Sequence, residues 1–365
     1  MDNKDKNIVI GMSGGVDSSV AAYLLKNQGY NLIGVFMNNW EETDEDNGAC
    51  TAQTDYQDAK SVCLKLDIPF YTVNFAKEYW DNVFTHFLNE YKKGRTPNPD
   101  IMCNSEIKFK CFLEYAKDTF GADAIATGHY VRNRVDENGC GHLLKGLDPN
   151  KDQSYFLSAL KSEQVAMGMF PVGEMLKPDV RKIAGELGLR TADKKDSTGV
   201  CFIGERNFTK FLKQYIPAQP GDIVDADSQK VIGKHDGLMY YTIAQRRGLG
   251  IGNMGGGERW YVCEKDLEKN VLYVCEGAEN PKLFKRGFFS RDVHLINPRD
   301  TAELKCGVKY RYRQNERDAL VRFGNEGVEV IFDEKQSGIT PGQSGAFYVG
   351  DECIGSAVID EVIEN

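Results

Sequence analysis

The first 130 residues alternate between short apolar runs and longer amphipathic stretches. Residues 18–28 and 79–91 repeat apolar side chains at the three-to-four-residue spacing of a helix that buries one face. Apolar runs of strand length flank these stretches, at 8–12, 32–37, 70–73 and 124–127. Because strands and helices alternate, the pattern predicts an α/β fold with a doubly wound parallel sheet.

The pattern changes after about residue 206. Up to about residue 280 the apolar runs are short and are interrupted by glycines, as at 222–224, 240–243 and 271–274. Beyond it, the alternation of apolar and polar residues is stronger, as at 327–332 and 346–349. Short strands separated by Gly and Pro turns predict a small β-barrel. We therefore predict an α/β domain over 1–206, a small mainly-β domain over 207–280 and a C-terminal β-barrel over 281–365.

Length and composition narrow the class of protein. The 365 residues suffice for several domains, each with its own core. The chain has no apolar run of membrane-spanning length, and its first residues lack the features of a secretory or transit peptide. We therefore expect a cytoplasmic protein without membrane contact. None of its ten cysteines forms a Cys-x-x-Cys pair, so neither a zinc site of that spacing nor a disulfide framework is expected.

The charge is unevenly distributed. A formal net charge of −9 argues against a general nucleic-acid binder. Residues 281–325 nevertheless hold eleven Lys or Arg against five Asp or Glu, which makes this window +6. A basic face on an acidic protein can hold a folded RNA. On charge alone, a solvated surface without a partner is an equally good interpretation.

A glycine-rich loop joins the first predicted strand to the first predicted helix. In the run Ser13 to Ser18, Gly14 and Gly15 allow a tight turn and a close approach to a polyanion. The loop amides, the helix N-terminus and two serine hydroxyls then offer hydrogen-bond donors. The run lacks the lysine of a Walker A motif and the pattern of a dinucleotide-binding fold. A turn without a ligand is the alternative interpretation.

The string Ser-Gly-Gly-Val-Asp-Ser at 13–18 resembles the signature of the PP-loop ATP pyrophosphatases. This resemblance implies a fold like that of the adenine nucleotide α-hydrolases and attack on the α-phosphate of ATP, with pyrophosphate leaving and the substrate adenylated. Asp17 would help to place Mg²⁺, and no side-chain cluster for a resident metal is expected. The superfamily adenylates carboxylates, ureido groups and RNA bases, so the motif leaves the substrate open.

A second segment carries a cysteine next to a predicted helix. Pro97 and Pro99 make the stretch up to Asn104 rigid and, in our prediction, non-helical, with a helix starting near Ser105. Cys103 would then precede a helix N-terminus, whose dipole favours the thiolate. Asp100 is close enough in sequence to act as an acid or base. A packed core thiol is the alternative for Cys103.

A third segment, Gly199 to Gly204, places Cys201 between glycines. A thiol on a loop with glycine hinges can move and exchange, whereas a structural cysteine more often lies inside a helix or strand. A turn cysteine without a role is the alternative here.

Together these segments resemble the bacterial tRNA-specific 2-thiouridylase family over essentially the whole chain. The one departure noted is Ala244, where we expect Gly. The resemblance rests on the loop at 13–18 and on the segments 96–109, 126–130, 151–156, 199–204 and 241–250.

The resemblance implies a role for each matching residue. Cys103 matches the nucleophile and Cys201 matches the persulfide carrier, and Asp100 stays the candidate acid or base. ATP would be held by Gly11, Met12, Ser13, Gly14, Gly15, Val16, Asp17, Ser18, Met37 and Gly128. The target uracil would meet Asn98, Pro99 and Asp100. Contacts to tRNA would come from His129, Lys151, Asp152, Gln153, Arg311, Tyr312 and Gln343.

The implied reaction modifies the wobble uridine, position 34, of tRNAs for Lys, Glu and Gln. ATP with Mg²⁺ adenylates the C2 oxygen, and a Cys201 persulfide then supplies sulfur. This gives 2-thiouridine, AMP, pyrophosphate and a Cys103–Cys201 disulfide. The implied partners are tRNA and a sulfur donor protein, such as a cysteine desulfurase or a relay protein, and the enzyme is expected to be a monomer.

Three alternatives stay open from the sequence. A PP-loop synthetase or amidotransferase acting on a small metabolite would need no cysteine pair. A non-catalytic RNA-binding module would bind tRNA without releasing pyrophosphate. A different tRNA thiolase, such as a 4-thiouridine synthetase, would carry an additional N-terminal RNA-binding domain, whereas here the phosphate loop starts at Ser13.

Overall fold

The computed structural model describes residues 2–40, 51–196, 208–252 and 257–364. In this part of the chain the α-helices are α1 (Val16–Asn27), α2 (Thr51–Lys65), α3 (Ala76–Tyr79), α4 (Thr85–Lys92), α5 (Pro99–Met102), α6 (Phe112–Phe120), α7 (Ser162–Ala166), α8 (Lys177–Glu186) and α9 (Phe208–Leu212). π-helical segments span Trp80–Phe84 and Cys103–Cys111, and short 3₁₀ helices span Asn3–Asp5, Ser154–Leu157, Leu238–Tyr240 and Pro281–Leu283.

The strands of the same residues are β1 (Asn7–Gly11), β2 (Asn31–Asn38), β3 (Phe70–Asn74), β4 (Ala124–Ala126), β5 (Val131–Val135), β6 (Gly141–Lys145), β7 (Gly168–Met169), β8 (Gly221–Asp225), β9 (Val231–His235), β10 (Trp260–Asp266), β11 (Val271–Glu276), β12 (Phe284–Ser290), β13 (Val293–Leu295), β14 (Glu303–Lys309), β15 (Arg317–Gly324), β16 (Gly327–Ser337), β17 (Ser344–Val349), β18 (Glu352–Val358) and β19 (Glu361–Ile363).

A parallel sheet with the order β3-β2-β1-β4-β7 organises the N-terminal half. Successive residues of β1 point to opposite faces, so Ile8 and Ile10 join one core and Val9 joins the other. Helices α1, α2 and α8 cover the first face, and the helical stretches 76–92 and 99–120 cover the second. The predicted doubly wound α/β fold is confirmed.

The order of this sheet fixes where a ligand can bind. Strand β1 is central, with β2 on one side and β4 on the other, and the connections leave in opposite directions. In open α/β sheets, ligands bind beyond the carboxyl ends of strands at this kind of switch point. The residues that follow Gly11 and Ala126 therefore form the expected ligand-binding edge.

The helix that carries Cys103 differs from our prediction. It begins at Pro99 rather than near Ser105, because Pro99 occupies the first helical position and the Asn98 side chain accepts a hydrogen bond from the Asp100 amide at 3.2 Å. Helix α5, the π-helical segment and α6 then run without interruption to Phe120. The prolines thus start this helix, and Cys103 lies about one turn inside it.

The central β-sheet has the order β10-β11-β8-β9. The run 240–243, which we predicted to be strand-like, is not a strand, because the chain turns there. A 3₁₀ helix ends at Tyr240, the Tyr241 amide donates to the Leu238 carbonyl at 3.2 Å, and the Thr242 amide donates to the Gln245 side chain at 2.9 Å. Ala244 has a positive φ of 63°.

The C-terminal half forms one antiparallel sheet with the order β19-β12-β16-β15-β14-β17-β18-β6-β5, and β13 also pairs with β18. Its core holds Phe288, Val330, Phe332 and Phe347. The hairpin β5–β6, which lies within the first 206 residues, extends this sheet through the pairing of Leu143 with Cys353. The N-terminal and C-terminal domains therefore share a continuous sheet.

Among the residues that the structure describes, none of the helices is both long and apolar enough to span a lipid bilayer.

Candidate active site

The phosphate loop lies between the end of β1 at Gly11 and the start of α1 at Val16. Gly14 has a φ of +74°, and a Cβ there would collide with the Asp55 carbonyl group. The hydroxyl oxygens of Ser13 and Ser18 lie 3.1 Å apart, and the Gly15 amide donates to Ser13 Oγ at 3.3 Å. Within the part of the chain that the structure describes, no side chain caps α1, whose N-cap is Gly15. The first amides of this helix are thus available to an anion.

Gly128 packs directly on the first turn of α1. It follows β4, and a Cβ at this position would lie 2.6 Å from the Ser18 amide nitrogen. Met37 in β2 flanks the other side of Gly11, where an added Cβ would lie 3.0 Å from its methyl carbon. The structure therefore brings the residues predicted to hold ATP, 11–18, Met37 and Gly128, to one edge of the sheet.

Asp17 is held by a buried lysine that the sequence analysis missed. Lys177 Nζ lies 2.7 Å from Oδ1 and 2.8 Å from Oδ2 of Asp17, and the Tyr130 hydroxyl donates to Oδ1 at 2.7 Å. The Lys177 side chain is 9% exposed. It starts α8, 160 residues away from Asp17. Its sequence context, Leu-Lys-Pro-Asp, is that of an ordinary helix start and gives no signal of this role.

A second carboxylate, Asp196, completes the cluster. It lies 2.8 Å from Lys177 Nζ, 2.6 Å from Lys151 Nζ and 2.8 Å from a guanidinium nitrogen of Arg181. Burial of the Asp196 carboxyl opposes ionisation, but the hydrogen bonds and charges of Lys151 and Lys177 outweigh this and lower its pKa to about 2. The residue is therefore ionised and links Lys151 to the phosphate loop.

Lys194 fixes the outer side of the phosphate loop. Its Nζ donates to the Gly14 carbonyl at 2.9 Å and contacts carboxylate oxygens of Asp55 and Asp58 at 2.6 Å each. Desolvation lowers the pKa of Lys194, but the two carboxylates outweigh it and the net shift is upward. The loop is thus anchored by an ammonium group that sequence spacing alone does not reveal.

Cys103 and Asp100 are three residues apart on one continuous helix, so they share a face. Cys103 is buried and Asp100 is half-buried, one residue after Pro99 at the helix start. Asn98 forms the N-cap, as described above, and also hydrogen-bonds to Tyr155. Cys201 and its neighbours at 199–204 lie outside the described residues, so its distance from Cys103 is not defined.

Two residues that follow Cys103 on its helix, Asn104 and Phe109, contact different parts of the protein. Phe109 lies 6.0 Å from the His129 ring, which follows Gly128. The Asn104 side-chain amide donates to the Phe156 carbonyl at 3.1 Å, and the Phe156 ring lies 4.3 Å from that of Tyr312. This helix therefore lies between the predicted ATP edge and the C-terminal domain.

His129 and Gln153 both lie against the ATP edge. The Thr127 hydroxyl and His129 Nδ1 are 2.8 Å apart, and the Tyr130 amide donates to the Gln153 side chain at 2.9 Å. Desolvation, with the charge of Lys108, lowers the pKa of His129 well below its usual value, so the imidazole is neutral. As tRNA contacts, both residues stay predictions.

Three other predicted tRNA contacts make hydrogen bonds between domains. Asp152 is buried and accepts from Lys309 at 3.2 Å as well as from Ser154. Arg311 donates to the Ile243 carbonyl at 2.8 Å, and burial lowers its pKa. Gln343 donates to the Thr96 carbonyl at 2.6 Å. Their positions support a role in joining the domains, and tRNA contact stays a prediction for each.

A basic cavity of about 580 Å³ opens beside Tyr312, where the N-terminal and C-terminal domains meet. Four cations and three carboxylates line it, so its net charge is only +1: Arg132, Lys145, Lys309 and Arg313 with Asp152, Glu316 and Asp351. Lys145 and Lys309 lie 2.6 and 3.8 Å from Glu316. Arg313 is exposed at its rim and stacks on Tyr312 at 5.6 Å. The cavity therefore combines cations with an aromatic surface, as nucleic-acid sites do.

Across residues 2–40, 51–196, 208–252 and 257–364, no group of three or more His, Cys, Asp or Glu side chains is placed to hold a metal ion.

Three family models match successive parts of the chain. Residues 6–205 match the tRNA methyl transferase HUP domain, 209–276 the tRNA methyl transferase PRC-barrel domain, and 285–359 the aminomethyltransferase β-barrel domain. The first of these models alone covers more than half of the chain.

The chain is also similar to characterised proteins over its full length. It is 57% identical to the tRNA-specific 2-thiouridylase MnmA of Pectobacterium carotovorum, covering 100% of this chain and 99% of that protein. It is 57% identical to the tRNA-specific 2-thiouridylase MnmA 1 of Geobacillus kaustophilus, covering 99% and 97%. A solved 4-thiouridine synthetase–RNA complex with bound ATP is 21% identical over 58% of this chain and 51% of that chain, with a TM-score of 0.36. On the full-length similarity to these relatives, the chain belongs to the tRNA-specific 2-thiouridylase family.

Proposed function

We propose that this protein is an ATP-dependent tRNA-uridine 2-sulfurtransferase. It adenylates the C2 oxygen of the wobble uridine, position 34, and replaces that oxygen with sulfur from a persulfide on Cys201. The products are 2-thiouridine in tRNA, AMP, pyrophosphate and a Cys103–Cys201 disulfide. The observation that carries the proposal is the position of the Cys103 helix, which packs against His129 beside the phosphate loop and against Phe156 on its other side.

The phosphate loop supports adenylation. The uncapped start of α1 and the hydroxyls of Ser13 and Ser18 present donors to a polyanion. Gly14 and Gly128 keep the backbone close, since side chains there would collide with neighbouring backbone. The residues present therefore fit ATP. Adenylation matters chemically because the C2 oxygen of a uracil is a poor leaving group, and AMP is a good one.

Lys177 serves the same step as a fixed positive charge. Its ammonium group sits on Asp17 at the start of α1 and is shielded from solvent. A preorganised cation at this place stabilises the charge that develops on the departing pyrophosphate. Mg²⁺ bound with ATP would supply further charge neutralisation. The Asp17 carboxylate that we predicted to help place Mg²⁺ is already held by Lys177 and Tyr130, so Mg²⁺ ligation by Asp17 would compete with these contacts.

Cys103 and Asp100 supply the second step. Both lie on one face of the helix that begins at Pro99, which supports a role for Asp100 in moving a proton at or near the Cys103 thiol. In one route Cys103 attacks the inner sulfur of the persulfide, and the released sulfide attacks C2 and displaces AMP. In the other route the terminal sulfur of the persulfide attacks C2 and displaces AMP, and Cys103 then attacks the Cys201 sulfur of the resulting base–S–S–Cys201 disulfide, so that the 2-thiouridine sulfur leaves. Both routes end in the same disulfide, which an external thiol reductant reopens.

The tRNA is held beside this edge. The basic cavity at Tyr312 and the half-buried Lys151 lie on the side of the Cys103 helix that faces the C-terminal domain. RNA loops are recognised through phosphates and stacked bases, which these groups can contact. We further propose a cytoplasmic monomer that acts on tRNAs for Lys, Glu and Gln and receives sulfur from a persulfide donor protein. The proposed domain divisions are 206/207 and 280/281.

Methyl transfer, which the descriptions of two matched domain models mention, is a second candidate activity. It is disfavoured by the phosphate loop, because a methyl transfer breaks no phosphate bond and needs no adenylating site. A small-metabolite synthetase is disfavoured by the basic cavity, and a non-catalytic RNA-binding module by the fixed Lys177 beside the loop.

Reconstitution tests the proposal. Purified full-length protein is incubated with ATP, Mg²⁺, a persulfide donor and unmodified tRNA, and AMP, pyrophosphate and the digested nucleosides are measured. We expect tRNA-dependent pyrophosphate release and 2-thiouridine at position 34. Sulfur at any other base, a methylated base instead, or pyrophosphate release that does not depend on tRNA would overturn the assignment.

A further inference from the structure

Two cysteines that the proposed reaction does not use lie side by side in the central sheet. Cys263 is in β10 and Cys275 is in the neighbouring antiparallel strand β11. Tyr261 pairs with Cys275, and a β-bulge between Val262 and Glu264 inserts Cys263 as an extra residue. Cys263 and Cys275 are therefore diagonal neighbours on the two paired strands rather than directly opposite residues.

The two side chains point to the same face of this sheet. Cys263 and Cys275 form a small apolar cluster with Leu283. Val262 and Val274, which lie between them in the register, point to the opposite face and join the main core. The two thiols therefore lie in a small cluster that is separate from the main core, where the Cys263 thiol donates a hydrogen bond to the Cys275 sulfur.

This contact makes the two thiols unequal. Hydrogen bonding from Cys263 lowers the pKa of Cys275, against the opposing effects of burial and of the Asp227 charge, and the same shared proton raises the pKa of Cys263. Lone buried thiols have no such partner, and burial raises the pKa of Cys306 to about 11 and that of Cys353 to about 12. Cys275 is thus the more acidic thiol of the pair.

Solvent approaches Cys263 from one side, whereas Cys275 is fully buried. Cys263 lines a cavity of about 540 Å³ beneath the 3₁₀ helix Pro281–Leu283. Lys269 and Lys282 border this cavity, and Lys282 is fixed by Asp227 at 2.6 Å. A small oxidant can therefore approach sulfur that the surrounding apolar cluster otherwise covers.

We propose that Cys263 and Cys275 form a redox-sensitive site at which a peroxide generates a reversible intramolecular disulfide. One thiolate attacks a peroxide oxygen, the O–O bond breaks, and a sulfenic acid and water form. The second thiol attacks the sulfenic sulfur, the S–O bond breaks, and a second water leaves as the S–S bond forms. Two electrons pass from the sulfurs to the peroxide, and an external dithiol restores the reduced pair by exchange.

The test uses the full-length protein with Cys103→Ser and Cys201→Ser, so that the predicted catalytic pair cannot contribute a disulfide. The protein is treated with graded hydrogen peroxide, quenched, unfolded and alkylated. Intact mass and non-reduced peptide mapping then identify the products. We expect the loss of two hydrogen atoms, a Cys263–Cys275 linked peptide, protection of both cysteines from alkylation, and full reversal by dithiothreitol.

Two variants make the result specific. Cys263→Ser removes the partner, so Cys275 should remain alkylatable or advance to sulfinic acid. Cys306→Ser removes a buried lone thiol of the barrel core and should leave the linked peptide unchanged. If methionines oxidise while both Cys263 and Cys275 remain free thiols, or if either cysteine forms sulfinic acid in the parent protein without a linked peptide, the proposal is overturned. Circular dichroism of each variant checks that it is folded.

Discussion

Lys177 and Asp17 form a two-pronged ion pair, with Nζ 2.7 and 2.8 Å from the two carboxylate oxygens. The pair joins the first turn of α1 to the first turn of α8, and the two helices pack along the same face of the sheet. The Lys177 ammonium group is thus fixed beside the phosphate loop. Asp196 contacts the same ammonium group and connects it to Lys151.

Removing this cation should impair adenylation. We expect Lys177→Gln to lower tRNA-dependent pyrophosphate release by roughly 100-fold, the range observed when one preorganised electrostatic contact to a transition state is lost. The measurement is single-turnover pyrophosphate release at saturating ATP. Lys182→Gln is the matched control, because Lys182 lies on the same helix but is 74% exposed. Equal rates for both variants would show that Lys177 has only a structural role.

Replacing either reactive cysteine should separate the two half-reactions. Cys103→Ser and Cys201→Ser should each retain pyrophosphate release and lose 2-thiouridine formation, because the phosphate loop needs no thiol. Pyrophosphate release is measured directly, and nucleoside mass spectrometry of the reacted tRNA measures 2-thiouridine formation. Cys353→Ser, a buried thiol in β18, should retain both activities. Thiolation that persists without Cys201 would exclude it as the persulfide carrier.

The rim of the basic cavity should contribute to tRNA affinity. We expect Arg313→Ala to weaken tRNA binding about threefold to tenfold. The slope of log binding constant against log salt concentration should also become shallower by about one, since an exposed arginine that contacts a phosphate releases one counterion. Filter binding at several salt concentrations measures both. Arg322→Ala serves as the control, because this arginine pairs with Glu303 and Glu329 on another part of the barrel. An unchanged salt slope for Arg313→Ala would remove this residue from the interface.

Asp196 should make stability depend on pH. Its pKa is lowered from 3.8 to about 2 in the folded protein, so its stabilising effect is complete above the unfolded pKa and is lost as pH falls through the folded pKa. We therefore expect the difference in unfolding free energy between the parent and Asp196→Asn to be largest above about pH 5 and to shrink steadily towards pH 2. Urea unfolding across this range measures it. A difference that stays constant across this range would contradict the prediction.

Ala244 should be a strained position. Its φ of 63° lies in the left-handed region, which costs a residue with a Cβ about 1–2 kcal/mol. Ala244→Gly removes this cost but gives the unfolded chain more freedom, so a net stabilisation of roughly 0.5–1 kcal/mol is expected. Thermal unfolding measures the change. Ala302→Gly, at an exposed position without a positive φ, should be neutral or destabilising, and a destabilised Ala244→Gly would contradict the assigned strain.

The sequence was most informative where local patterns determine local structure. The loop at 13–18 and the strands around it follow from glycine chemistry and apolar runs, and the structure confirms the doubly wound sheet. Lys177 and Lys194 could not be found in this way, because Lys177 meets Asp17, and Lys194 meets Asp55 and Asp58, across more than 130 residues. Their roles depend on how α8 and the following turn pack against the phosphate loop.

Two local predictions were wrong for physical reasons. The Cys103 helix begins at Pro99 rather than near Ser105, because proline is a preferred residue in the first turn of a helix and does not prevent the helix from starting there. The run 240–243 has the composition of a strand, but its amides are satisfied by a turn and by the Gln245 side chain. Residues 199–204, with Cys201, lie outside the described residues, so their predicted mobility stays a prediction.

The hairpin β5–β6, which is encoded within the first 206 residues, adds two strands to the sheet of the C-terminal barrel. A chain shortened after the N-terminal domain would leave the outer edge of β6 without its neighbour, and an open strand edge invites association with other chains. Conversely, a separately produced C-terminal barrel would lack strands β5 and β6, which leaves β18 without one of its neighbours. Because the strand that pairs with β6 is encoded at 352–358, the sheet of this hairpin is complete only after nearly the whole polypeptide has been synthesised.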